Sequence, residues 1–172
     1  NCPINKKLIK SFKVVGVTEY FASKCNIKDH SEVMMLHNKS LSVVPLTTHI
    51  NIKDVSKTLS TNLIIRKVKT LNRDYKKLLK KKPKIGILGL NPHNAELRTS
   101  SEEFKKISPA IRKLRKKGIN INGPLVADTT FIDNYKKFDV IIGCYHDQVL
   151  IPFKTLFNFD AINITLGLSY IR

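Results

Sequence analysis

The sequence predicts an α/β fold in which a mixed, largely parallel sheet is flanked by helices. Short apolar runs bounded by turn residues recur along the chain, which is the pattern of buried strands. Longer segments with apolar positions three and four residues apart lie between them, as expected of helices that cover a sheet. A chain of 172 residues with 42% hydrophobic content has enough material for one core, built as one domain or two lobes.

The elements follow in order. Residues 12–16 (Phe-Lys-Val-Val-Gly) read as a strand or extended entry, and residues 19–25 as a short helix. Residues 33–36 and 41–44 form a strand pair that turns around Asn38-Lys39. A helix starts at Thr61, its N-cap, because Leu63, Ile64, Val68, Leu71, Tyr75, Leu78 and Leu79 share one face. Lys80-Lys81-Lys82 complements the negative end of that helix, and Pro83 stops it. Residues 84–89 are the clearest buried strand. The next helix spans 102–117, with Ile107, Ile111 and Leu114 inward, Gly118 as C-cap, and Pro109 kinking or delaying its start. Residues 128–138 read as helix, with Asp128-Thr129 as its cap, and 139–143 and 161–166 as strands. There is no repeat, linker or domain boundary.

The net charge of +18 and pI near 10 raise the question of a nucleic-acid partner. Lysine supplies 25 of the 31 basic residues, and arginine is the residue that reads bases, so the charge reads as solvated surface and argues against nucleic acid. No apolar stretch approaches the roughly 20 residues of a membrane span. Three cysteines (Cys2, Cys25, Cys144) without a CxxC pair argue against a disulfide framework and point to a cytoplasmic protein. Cys144 reads as a small buried hydrophobe. The chain starts without methionine and ends after an apolar run, as an internal fragment does.

Chemistry concentrates where strands end, the usual place for binding groups in open α/β sheets. His49 follows Val43-Val44-Pro45-Leu46, His93 follows Ile85-Gly86-Ile87-Leu88-Gly89, and His146-Asp147-Gln148 follows Val140-Ile141-Ile142-Gly143. Three histidines on such loops are enough to hold a divalent metal with one position open. His30 and His37 fall outside these motifs and read as packed or surface residues. Neither a dinucleotide fingerprint nor a P-loop occurs, so motifs alone reveal no cofactor.

Seven ordered segments resemble the 4-hydroxythreonine-4-phosphate dehydrogenase family of pyridoxal phosphate biosynthesis. Asn1-Cys2-Pro3-Ile4-Asn5-Lys6 is similar to the family's T-[AG]-P-I-N-K, and Val17-Thr18-Glu19-Tyr20-Phe21-Ala22 to its H-T-E-[FY]-L-A. Residues 44–50, Gly89-Leu90-Asn91-Pro92-His93, Gly123-Pro124-Leu125-Val126-Ala127-Asp128-Thr129, Tyr145-His146-Asp147-Gln148 and Asn163-Ile164-Thr165-Leu166-Gly167-Leu168 follow in the family's order.

The resemblance implies an isocitrate/isopropylmalate dehydrogenase-like fold with two lobes around a cleft in the complete protein. Residues 1–172 would then be the central part, mostly one lobe, inactive by itself, with an N-terminal region and the C-terminal end missing. It implies NAD as cofactor and one divalent metal (zinc, magnesium or cobalt) bound by His49, His93 and His146 in a homodimer with a shared active site. It further implies that His49 lies well apart from the other two within one chain. Thr18, Lys154, Asn163 and Arg172 match the family's substrate contacts. Lys154 and Asp147 are the catalytic candidates, Asp147 either orienting an imidazole or polarising the substrate hydroxyl. The implied reaction oxidises 4-phosphooxy-L-threonine and decarboxylates it to 3-amino-2-oxopropyl phosphate.

The chain also departs from the family pattern. Val17 stands for a histidine, Val126 and Ser169 for prolines, Val149 for a glycine, and Asn94-Ala95-Glu96-Leu97-Arg98-Thr99-Ser100 for the family's A-G-E with further glycines. A valine suits positive φ poorly, should the Val149 position require it. These changes keep two alternatives open: a paralogue acting on D-threonate or erythronate phosphate, or an inactive basic binding protein on the same scaffold.

Overall fold

The computed structural model describes residues 20, 23–25, 27 and 30–168. The strand expected over 12–16, together with Val17, Thr18, Ser169 and Arg172, lies outside the described residues. Tyr20, Ser23 and Lys24 are helical, within the helix expected over 19–25.

Six strands form one sheet: β1 (Val33–His37), β2 (Ser42–Pro45), β3 (Ile85–Leu88), β4 (Ile121–Leu125), β5 (Val140–Gly143) and β6 (Ile162–Leu166). Their order is β4-β3-β5-β2-β1-β6. The first four in that order are mutually parallel, whereas β1 runs antiparallel to both β2 and β6. The expected mixed sheet is therefore present. The β1–β2 hairpin turns where expected, closed by Asn38 N–H donating to Leu41 O (3.0 Å) and Ser40 N–H to Asn38 Oδ1 (2.7 Å).

Successive strand side chains point to opposite faces, and both faces are buried, so a core lies on each. Val33, Met35, Val44, Ile85, Ile87, Val140 and Ile142 point to one side, under α2 (Thr61–Leu79) and α3 (Ser108–Arg115). Met34, Val43, Leu88 and Ile141 point to the other, under Val149, Leu150 and Phe153 of α5 (His146–Phe157). Covering both faces is what makes the strands read as continuous apolar runs.

Helix ends follow capping chemistry. Ser60, not Thr61, caps α2: its backbone is extended and its hydroxyl accepts from Leu63 N–H at 3.2 Å. The Thr61 hydroxyl donates to Lys106 O instead (3.0 Å). At the other end Lys80 is left-handed and Lys81 pairs with Asp139 at 2.6 Å. Pro109 does not delay its helix, and the chain is helical from Glu102 as expected: a π-turn over Glu103–Ile107 runs directly into α3, with Pro109 in the first turn of the α-helical part. Gly118 (φ 73°) closes α3, with Ile119 N–H on Leu114 O and Gly118 N–H on Arg115 O.

The helix expected over 128–138 is a correction. The segment holds one turn, α4 (Ala127–Thr130), and a 3-10 turn over Asn134–Lys137. Phe131, Tyr135 and Phe138 pack against the core, but the Thr130 hydroxyl bonds back to Val126 O (2.6 Å) and competes with continuation of the helix. Asp128 lies in the first turn and the N-cap is Val126. The periodicity reading also left out α1 (Ile52–Thr58), β4 and α5. Pro152 inside α5 disguised that helix as a loop. Val149 lies within α5 with no positive φ and is fully buried, so its backbone carries no strain. No helix among the described residues is long and apolar enough to cross a membrane.

Candidate functional site

Strands β3, β5 and β2 are adjacent and parallel, so the loops bearing His93, His146 and His49 all leave the same edge of the sheet. The β2–β5 pairing continues past the strands: Leu46 N–H donates to Gly143 O (2.8 Å) and Thr47 N–H to Cys144 O (3.2 Å). That extension starts both loops side by side. The His49 and His146 rings end 6.0 Å apart between centroids, inclined by 40°. They line a cavity of about 200 Å³ with Thr48, Ile50, Ile52, Tyr145 and Asp147.

His146 is the first residue of α5, and its neighbour Asp147 lies in the turn where a helix favours negative charge. His146 Nδ1 lies 2.6 Å from Asp147 Oδ1. A carboxylate only accepts, so Nδ1 donates, and in the neutral ring the lone pair is on Nε2, where an electrophile can bind.

A ring that ligates through nitrogen at about 2 Å has its centroid about 3 Å from the ion, so two rings on one ion are about 5–6 Å apart. The His49–His146 pair fits that spacing. His93 does not complete a cluster: among the described residues no group of three His, Cys, Asp or Glu side chains is placed to hold a metal. The expectation that His49 stands apart from His93 and His146 is thus corrected. His49 and His146 are together, because their strands pair directly, and His93 is the one outside.

The backbone around His93 is unusual. Residues 93–97 are all left-handed, with φ between 47° and 57°, and the His93 side chain is exposed. L-residues avoid this region because Cβ crowds the following carbonyl, at about 1–2 kcal/mol per residue. The run is held at its ends. Asn94 donates from its amide to Pro124 O (3.1 Å), and Ala95 O accepts from Arg98 N–H (3.0 Å) and Arg98 Nε (3.2 Å). Upstream, the fully buried Glu103 carboxylate accepts from Leu90 N–H (2.7 Å), Asn91 N–H (2.8 Å) and Asn91 Nδ2 (3.0 Å). Burial pushes this carboxyl up, but the Asn91 backbone and side-chain amides and the Leu90 amide outweigh it and hold it below the usual carboxylate range.

The remaining candidates lie elsewhere. Lys154 is exposed on α5, eight residues beyond His146 and so about 12 Å along the helix axis. Asn163 is exposed on edge strand β6, level with Leu36 and hence with Val43, toward the end of the sheet away from the histidines. Thr18 and Arg172 fall outside the described residues. Cys144 is fully buried as expected, its thiol pushed far up by burial and by the Glu103 and Glu102 carboxylates. Sequence reasoning missed Thr47, Glu103, Tyr145 and the full role of Gln148. Of these, Tyr145 and Gln148 flank His146-Asp147 in the quoted motif, a signal for them that was available; nothing local marks Glu103.

Comparison with known proteins places these features in a family. The family model described as "Pyridoxal phosphate biosynthetic protein PdxA" matches residues 1–172. A 4-hydroxythreonine-4-phosphate dehydrogenase from Sulfurihydrogenibium sp. (strain YO3AOP1) is 45% identical over 174 residues, covering 99% of this chain and 53% of its own length. A crystal structure of 4-hydroxythreonine-4-phosphate dehydrogenase from Klebsiella pneumoniae superposes with TM-score 0.86 at 32% identity, covering 99% of this chain and 53% of that one. A putative enzyme of the same name from Salmonella typhimurium gives TM-score 0.84 at 34% identity, with the same coverage. The chain spans about half the length of the curated relatives it matches. The expected dehydrogenase-type α/β fold is therefore present, and the chain belongs to the PdxA family of pyridoxal phosphate biosynthetic proteins.

Proposed function

We propose that the protein containing this chain is an NAD-dependent, divalent-metal-dependent dehydrogenase that converts 4-phosphooxy-L-threonine to 3-amino-2-oxopropyl phosphate. The observation that carries the reading is the paired His49 and His146 rings, with Asp147 on His146 Nδ1, at one edge of a sheet in a PdxA-family chain. His49, His146 and His93 would hold the ion, zinc, magnesium or cobalt; bound there, it supplies Lewis-acid polarisation of the substrate oxygen. Asp147 keeps the His146 proton on Nδ1 and so keeps Nε2 available. Thr18, Lys154, Asn163 and Arg172 would bind the phosphate and carboxylate of the substrate; the lysine and arginine bring positive charge, and the arginine grips two oxygens at once. In the overall chemistry the secondary alcohol loses hydride to NAD and a proton to solvent, and the resulting β-keto acid loses carbon dioxide.

We further propose a homodimer whose two chains complete each other's site. Ile151, Phe159 and Ile162 are 62%, 93% and 60% exposed on the α5–β6 side, an apolar surface suited to a second copy. His93, Lys154 and Asn163, which the single chain leaves away from the pocket, would then meet a site built by both subunits. The test is NADH formation by the full-length protein with 4-phosphooxy-L-threonine, before and after metal removal, beside D-threonate and erythronate phosphates. Metal-dependent turnover of the first substrate supports the reading. Turnover of another phosphate alone reassigns the substrate, and no metal retained and no turnover of any refutes it.

A further inference from the structure

Three loops carry the histidines, and two polar side chains tie those loops together through the backbone of one residue, Cys144. Thr47, 4% exposed, donates both its N–H (3.2 Å) and its hydroxyl (2.8 Å) to Cys144 O, joining the β2 exit to the β5 exit. Gln148 accepts from Cys144 N–H at Oε1 (2.7 Å) and donates from Nε2 to Gly89 O (2.7 Å), joining the β5 exit to the β3 exit. The buried Cys144 thiol, kept protonated, adds a weak contact to Leu88 O at 3.7 Å. The Gln148 amide cannot be reversed, because Cys144 N–H only donates and Gly89 O only accepts. The β3–β5 ladder is registered as far as Ile87↔Ile142, and the Gln148 side chain spans the gap beyond it. Gly89 leads through Leu90-Asn91-Pro92 to His93, and Gln148 lies two residues after His146.

We propose that Gln148 and Thr47 are positioning residues whose hydrogen bonds to Cys144 and Gly89 set the spacing of the His49, His146 and His93 loops for metal binding. The proposal rests on the metal reading above. Both side chains bond to backbone groups, so each acts by fixing where an imidazole starts. Outer groups that orient ligands change metal affinity by about 10–100-fold when removed. Gln148→Glu separates the two ends of the clamp. It keeps an acceptor for Cys144 N–H but sets a carboxylate oxygen against Gly89 O, so it keeps the link to Cys144 and replaces the link to the His93 loop with repulsion.

The experiment is competition titration of Co²⁺ against a chromophoric chelator on the full-length protein. Urea unfolding of the metal-free forms confirms that each variant is folded where binding is read. Gln148→Met, Gln148→Glu and Thr47→Val are expected to weaken Co²⁺ binding at least about tenfold, and Thr47→Ser, which keeps the hydroxyl, to bind like wild type. Where Gln148→Met does not fold, Gln148→Glu and the Thr47 pair carry the result. Wild-type binding with folded variants within about twofold of it overturns the positioning role and leaves the metal reading intact. A wild type that binds no Co²⁺ overturns the metal reading and the proposal with it.

Discussion

Glu103→Gln tests the support beneath the β3 exit. Glu103 is fully buried and its carboxylate collects the Leu90 and Asn91 amides on Oε1, at 2.7 and 2.8 Å, and Asn91 Nδ2 on Oε2 at 3.0 Å. Glutamine has the same shape. Its amide oxygen keeps the two backbone donors, but its NH₂ faces Asn91 Nδ2, a second donor. Two charge-assisted hydrogen bonds become neutral ones and a third is lost. At about 1 kcal/mol each, the cost is about 3 kcal/mol. Glu103→Ala leaves the Leu90 and Asn91 backbone donors unpaired, while Asn91 Nδ2 keeps Glu102 Oε2 (2.9 Å), and costs about 4 kcal/mol, each buried unpaired donor accounting for about 1–3. Urea unfolding of the full-length protein measures both. The sign with pH also follows. The folded carboxyl lies below its ordinary value, so its contribution is complete above the unfolded pKa of about 4.3 and is lost as pH falls through the folded value. The gap between wild type and Glu103→Gln therefore narrows in acid. A Glu103→Gln protein within about 0.5 kcal/mol of wild type at neutral pH would refute the reasoning.

Other perturbations probe other links. Gly123 has φ 144°, and a Cβ there would collide with Ile87 O and sit 2.7 Å from Ile87 Cγ2 on a central strand; Gly123→Ala should cost about 3 kcal/mol or more in urea unfolding. Glu96 is exposed at φ 50° inside the left-handed run, so Glu96→Gly should stabilise by about 1 kcal/mol, and a destabilised variant would contradict that backbone. Asp147→Asn removes the carboxylate that holds the His146 tautomer. It should weaken Co²⁺ binding by about 10–100-fold while leaving the unfolding midpoint in place, since Asp147 is exposed.

Much of the fold was legible because its signals are local. The hairpin, the long helix α2, the strands at 85–88 and 140–143 and the closure at Gly118 each follow from periodicity, turn residues or caps. The misread segments had no such signal. Pro152 hid α5, and the threonine hydroxyls of 129–130 compete with the helix that the sequence suggested. The N-cap shifted by one residue because Thr61 spends its hydroxyl on Lys106 O, a residue 45 positions away.

By itself the sequence determined the α/β class, the strand ends on which chemistry collects, and the motif order that marks the family. Those depend on side-chain period and on residues adjacent along the chain. Only the tertiary structure decided which histidines meet. Strand order puts β2 beside β5 and so pairs His49 with His146, while His93, on a left-handed run of backbone, completes no three-residue cluster with them. The same order brings Thr47 and Gln148 onto the Cys144 backbone and links Gln148 to Gly89 O. Such encounters are set by which strands are neighbours across the sheet, and no local pattern of residues encodes that.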